Sequence, residues 1–158
     1  MEFTVGNKVI EIKFDYMTMY KVNRDLGSQG PDGTRNEDGV GALFLRVVDR
    51  NDSALVDLIK LCAGKKAKAV SDEEAIKALA DKMEELGAES TEPLFEALEE
   101  EMVESGFFKE KVSKYLENLE LGLKYLKAKA ETAEDKAQAE LQIEQTEAQI
   151  GRLRNAIS

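Results

Sequence analysis

Nine glutamates fall between Glu84 and Glu104, with no lysine or arginine among them. Carboxylates at that density raise two chemistries: a general acid–base pair, or a divalent cation held by oxygen ligands. Both require the side chains to converge. On a helical wheel of about 100° per residue, Leu94, Phe95, Leu98 and Met102 share one narrow arc. Glu92, Glu96, Glu99, Glu100 and Glu104 spread over the opposite side, with Glu101 at its margin. A carboxylate is tuned as an acid by burial or a close like charge, and a solvated face supplies neither. The spacing predicts an acidic outer face and no catalytic centre.

Other routes to chemistry close in turn. The chain has no histidine, which removes Ser-His and Cys-His nucleophile activation and histidine-bearing metal sites. The single Cys62 cannot form an intrachain disulfide or a thiolate metal site, and "VDLIKLCAG" reads as an apolar helix around an inert thiol. The loop "DGTRNEDGVGAL" fails as a calcium loop, with Glu37 where glycine is required and Leu43 where a bidentate glutamate is required. "GVGALF" lacks the preceding strand and third glycine of a dinucleotide fingerprint. No catalytic residue, cofactor or metal is predicted.

The elements that would position these residues are mostly helical. Residues 2–14 alternate, and a two-residue turn at Gly6-Asn7 pairs Val5 with Lys8 and Phe3 with Ile10, leaving Phe3, Val5, Ile10 and Ile12 on one face. From Asp15, a plausible N-cap, a helix runs to Gly27 at its C′ position, with Tyr16, Met19, Tyr20 and Leu26 expected on its buried side. "SQGPDGTRNEDG" reads as a mobile loop. Helices follow at 38–50 (Val40, Leu43, Phe44, Val47, Val48) and 53–63 (Leu55, Leu58, Ile59, Cys62). A third is opened by a Ser71/Glu74 capping box and stopped at Gly87, with Ile76, Leu79, Ala80 and Met83 as its stripe. The acidic helix has Pro93 in its first turn and Gly106 just past its end.

Residues 107–158 read as an antiparallel helical hairpin. Val112, Leu116, Leu119, Leu123, Leu126 and Ala130 step by four and three, and after a break with Thr132 as cap the stepping recurs in Ala139, Ile143, Thr146, Ile150, Leu153 and Ile157. The second stripe is thin, so the hairpin must dock on the domain or on another copy. The reading is a mainly α fold with a short N-terminal β-hairpin, divided into a helical domain at 1–109 and a coiled-coil-like hairpin at 110–158. Self-association is expected through Leu116, Leu119, Leu123, Leu126, Ile143, Ile150, Leu153 and Ile157.

Composition narrows the partners. A net charge of −10 disfavours phosphate backbones and anionic membranes, so neither nucleic acid nor membrane is an expected partner. No run approaches the roughly 20 apolar residues of a membrane span, "MEFTVGNKV" lacks the pattern of a signal peptide, and the expected compartment is a reducing cytosol. Packing the core is the simplest role for the arc Leu94, Phe95, Leu98 and Met102. Two features lean towards partner binding as well: Val103 lies outside the arc among the acids, and Phe107 and Phe108 are consecutive, so that one of them faces away from a shared core. These seven residues form the candidate partner-binding set, suited to an apolar-faced helix.

The order "MEFTVGNKVIEIKFDYMTMYKVNRDLG", "GVGALFLRVVDRNDSALVDLIKLCAG", "SDEEAIKALADKMEE", "EPLFEALEEEMVESGFFKEKV" resembles the small tail assembly chaperones of long-tailed bacteriophages and their prophages, over roughly residues 1–112. Residues 113–158 depart from that pattern. The resemblance implies a non-enzymatic protein of the host cytosol that coats the long helical tape measure protein and helps deliver tail tube subunits around it. A structural adaptor, with the C-terminal hairpin building a fixed oligomer, stands beside it as the second expectation.

Overall fold

The computed structural model describes residues 1–158, the side chain of Ala67 excepted. It is 69% helical, with one two-stranded hairpin at the N-terminus, which makes it mainly α as the sequence predicts. Strands β1 (Glu2–Val5) and β2 (Lys8–Glu11) are antiparallel, with Phe3 opposite Ile10 and Val5 opposite Lys8. Gly6 stands first in the turn at φ 59°, a conformation that costs glycine nothing. Phe3, Val5, Ile10 and Ile12 are all buried, and the Ile12 amide donates to the Met1 carbonyl at 2.8 Å to extend the ladder.

Seven α-helices follow among the described residues: α1 (Tyr16–Asp25), α2 (Gly39–Val48), α3 (Asp52–Ala63), α4 (Asp72–Leu86), α5 (Glu92–Glu104), α6 (Gly106–Ala130) and α7 (Lys136–Ile157). Helix α2 is the axle: Val40, Leu43, Phe44 and Val47 are fully buried, and α1, α3, α5, α6 and α7 all pack around it. Two glycines make this possible. A Cβ at Gly39 would overlap the Val22 carbonyl of α1, and one at Gly41 would overlap the ring of Tyr115 on α6. Arg50, in the left-handed region at φ 55°, ends the α2 segment and turns its guanidinium onto Glu92 (2.9 Å) and Glu99 (2.7 Å), tying α5 to it.

Several local expectations are corrected. The buried side of α1 is Met19 and Val22, while Tyr16 and Tyr20 lie on the surface. Tyrosine tolerates either environment, and the fully apolar pair wins the core. Gly27 is not a left-handed C′ residue; any Cβ there would strike the Asn36 backbone, so its role is close approach by the following loop. That loop is tied down. Gln29 bridges Arg35, and the Asp38 carboxylate accepts from the Ser28 amide (2.7 Å) and hydroxyl (2.6 Å).

On α4 the capping box is present, with Ser71 Oγ accepting from the Glu74 amide and the Glu74 carboxylate accepting from the Ser71 amide, and Gly87 closes the helix at φ 62°. Its buried stripe is Ala75, Ala78 and Leu79, rotated from the expected one; Ile76 is exposed. Small alanines let α4 sit close on α3 and β1, which the larger Ile76 would prevent.

Gly106 opens α6 instead of ending α5. Ser105 is the one extended residue between them, and its hydroxyl donates to the Phe14 carbonyl at 2.7 Å. The C-terminal hairpin forms with the predicted seam. Asp135, not Thr132, caps α7, its carboxylate accepting from the Gln138 amide. One hydrophobic core runs from Phe3 through Phe108, Val112 and Leu116 to Ile150 and Leu153, so it crosses position 110 without a break. Beyond Leu116 the seam residues Leu119, Leu123, Leu126, Ala130, Ala139, Ile143 and Thr146 are only half-buried, because the hairpin projects past the bundle with just its two helices to cover each other.

Candidate interaction surface

The apolar arc of α5 is sealed. Leu94, Phe95, Leu98 and Met102 are at most 2% exposed, and they brace α5 against α2 and α6. As members of a partner-binding set they are therefore corrected to core residues of this chain. The wheel placed them on one face correctly; what it lacked was the apolar α2 that claims that face.

The adjacent phenylalanines divide as expected. Phe108 is fully buried and meets the Phe14 ring edge-on at 4.9 Å. Phe107 stays 49% exposed, with the Tyr16 ring edge-on to it at 5.5 Å. Val103 is half-buried among glutamates. Around Phe107 the start of α1 adds residues that the sequence reading placed elsewhere or passed over: Tyr16, Met17 and Tyr20 are all more than half exposed. Tyr16 and Tyr20 lie four apart on one helix face, and the Arg24 guanidinium covers the Tyr20 ring at 5.6 Å. The Tyr16–Phe107 pair thus links α1 to α6 at the surface, with Met17 and Tyr20 exposed on the same stretch of α1. The signal that could have revealed it is the "DYMTMY" run, which carries more large side chains than one helical face can bury.

Among the self-association candidates, Leu116, Ile150 and Leu153 are buried in the core, whereas Leu119, Leu123, Leu126, Ile143 and Ile157 are half-buried along the hairpin. On the outer faces of α6 and α7, Leu121, Tyr125 and Leu141 are well exposed. The hairpin is also laced by charge: Lys127 to Glu147 at 2.7 Å, Arg154 to Glu120, and Arg152 to Asp49 of the α2 end at 2.6 Å.

The acidic stretch brings two carboxylates onto one arginine and builds no larger cluster among the described residues. Glu92 and Glu99 are paired to Arg50, and Glu101 lies 3.8 Å from the N-terminal amine. Among the described residues, no group of three or more carboxylate, thiol or imidazole side chains is arranged to hold a metal ion. Burial pushes the Cys62 thiol up to about 11, so the reactive thiolate is scarce at neutral pH.

What decides the identity is the match of a family model. The model described as phage tail assembly chaperone protein, TAC, matches residues 2–117. The chain belongs to the phage tail assembly chaperones. No curated protein and no solved structure matches the chain. The match takes in the hairpin, α1 to α5 and the base of α6, and it ends one residue beyond Leu116, the last fully core-packed position of α6. The surface formed by Tyr16, Met17, Tyr20 and Phe107 lies wholly within the matched tail assembly chaperone region. No helix among the described residues is long and apolar enough to cross a membrane.

Proposed function

We propose that this chaperone acts by binding, without catalysis, in the host cytosol: it holds apolar helical segments of the tape measure protein on the Tyr16, Met17, Tyr20 and Phe107 face, keeps that client soluble, and helps tail tube subunits assemble around it. One observation carries the reading: the exposed Tyr16–Phe107 ring pair, with exposed Met17 and Tyr20 beside it on α1, lies inside the region matched by the family model. Tyrosine, methionine and phenylalanine side chains adapt to varied apolar faces, which suits a client with many similar segments. Weak contacts repeated along one long client add by avidity, and the tube protein releases the chaperone by competing for the same segments.

The test is a calorimetric titration of a helical tape measure fragment into the chaperone and into the Phe107→Glu and Tyr20→Glu variants. Both substitutions are at exposed positions, so the far-ultraviolet circular dichroism should be unchanged. Affinity should fall by about tenfold or more, as for an aromatic anchor at an interface. Unchanged affinity in folded variants would exclude this face.

A second reading, a structural adaptor that oligomerises through the C-terminal hairpin, is favoured by the half-buried seam and by the exposed Leu121, Tyr125 and Leu141. It predicts a fixed stoichiometric oligomer that Tyr125→Glu dissociates in sedimentation equilibrium.

A further inference from the structure

Helix α1 carries two chemistries on one side. Met19 and Val22 face the core, and at about 100° per residue the opposite arc holds Tyr16, Met17, Tyr20, Lys21 and Arg24, all exposed. The first half of that arc is apolar and meets Phe107 through Tyr16. The second half is basic and opens on a cleft of about 790 Å³ between α1, α3 and residues 64–70, where Arg35, Lys60, Lys65 and Lys66 join Lys21 and Arg24. The two halves meet where the Arg24 guanidinium covers the Tyr20 ring at 5.6 Å.

The cleft holds more cations than its own carboxylates neutralise. Asp25 is shared between Arg24 at 2.7 Å and Lys65 at 3.7 Å, Asp57 is taken by Arg46 from outside the cleft at 2.7 Å, and Lys60 pairs with Asp72. Lys21, Arg35 and Lys66 have no ion-pair partner among the described residues, and Arg35 donates only to the backbone carbonyl of Asp25. Leu26, Leu61 and Val70 add apolar lining. In a chain of net charge −10, this is a local surplus of positive charge that a carboxylate would offset. The ligand that fits both halves of α1 is one polypeptide segment bearing an apolar stripe with carboxylates beyond it. A phosphate chain supplies no apolar stripe.

We infer that the basic cleft is the second half of the client site, taking acidic side chains that follow the apolar stripe on the same client helix. The inference rests on client binding at the aromatic face proposed above. From Tyr16 to Arg24, α1 rises about 12 Å at about 1.5 Å per residue, so a client helix lying along it places its acidic residues about two turns beyond its apolar anchors. The aromatic half gives affinity for any apolar helix; the cleft selects among such helices and fixes the direction in which each lies.

Peptides tiled along the tape measure protein, followed by fluorescence anisotropy in about 0.1 M salt, test it. Each strong binder is compared with a copy whose flanking Asp and Glu are replaced by Asn and Gln. Strong binders should carry an acidic flank, and their amide copies should bind at least about tenfold more weakly. With Lys21→Gln and Lys66→Gln together, both at exposed positions and checked by circular dichroism, that ratio should fall towards one. It should do the same for the wild type in about 1 M salt, where the Debye length shrinks from about 10 Å to about 3 Å. Phe107→Glu should weaken both peptides alike and keep the ratio. Strong binders without an acidic flank would overturn the inference. So would amide copies that bind as tightly, or a ratio that survives the cleft substitutions. The two failures are separable: unchanged affinity in Phe107→Glu sinks the aromatic face, while the ratio decides the cleft.

Discussion

Phe107 and Phe108 differ by one position and by about 100° around α6, and that rotation separates a core residue from a surface one. The doublet was legible as a divided pair because no single helical face accommodates both. The neighbouring Tyr16 and Tyr20 were misread as buried because tyrosine supplies apolar area while its hydroxyl is content in water. Gly41 marks a close helix approach, and its reason was invisible without Tyr115. Gly41→Ala should cost about 1–3 kcal/mol by overpacking, read as a lowered denaturation midpoint with an unchanged m-value. Cys62 gives a second check. Burial pushes its thiol up to about 11, so alkylation by iodoacetamide at neutral pH should be far slower in the native protein than in denaturant.

Elements with a strict period were readable in full. The β-hairpin register follows from alternation plus Gly6, and the α6–α7 seam follows from four-and-three stepping; the seam residues beyond the core are half-buried. Elements whose buried face rests on small residues were not. Ala75 and Ala78 carry less hydrophobicity than Ile76, yet close packing on β1 and α3 selects them. Ser105 interrupts a helical run with one extended residue bonded to Phe14, 91 positions away, a tertiary cause that local pattern cannot contain.

The capping box of α4 yields a pH prediction. The Ser71 amide, then its side chain, holds the Glu74 carboxyl below its usual value of 4.5. A folded-state value lower than the unfolded one means the contribution is complete above the ordinary carboxylate value and disappears as pH falls through the depressed one. Glu74→Gln should therefore flatten the acid limb of the stability curve, measured by urea unfolding between about pH 2 and about pH 5.

At the scale of the molecule, one core continues across residue 110, where the stepping of apolar residues suggested a boundary. Heptad stepping changes the pattern there, but Phe108, Val112, Leu116, Ile150 and Leu153 are packed with α2 and α5. Leu153→Ala should therefore destabilise the entire chain by about 2–5 kcal/mol, whereas Leu126→Ala, at a half-covered site, should cost clearly less. A single unfolding transition monitored by both fluorescence and circular dichroism is the matching observation, and two separated transitions would contradict a shared core.

The projecting end of the hairpin has a practical corollary. From Leu116 to Ala130 the helix travels about 21 Å at about 1.5 Å per residue before it turns at 131–135. A dye or affinity handle inserted at that turn would ride on a stiff outrigger, at the opposite end of α6 from the aromatic face at Phe107. Attached there, it could follow loading and release while leaving the working surfaces bare.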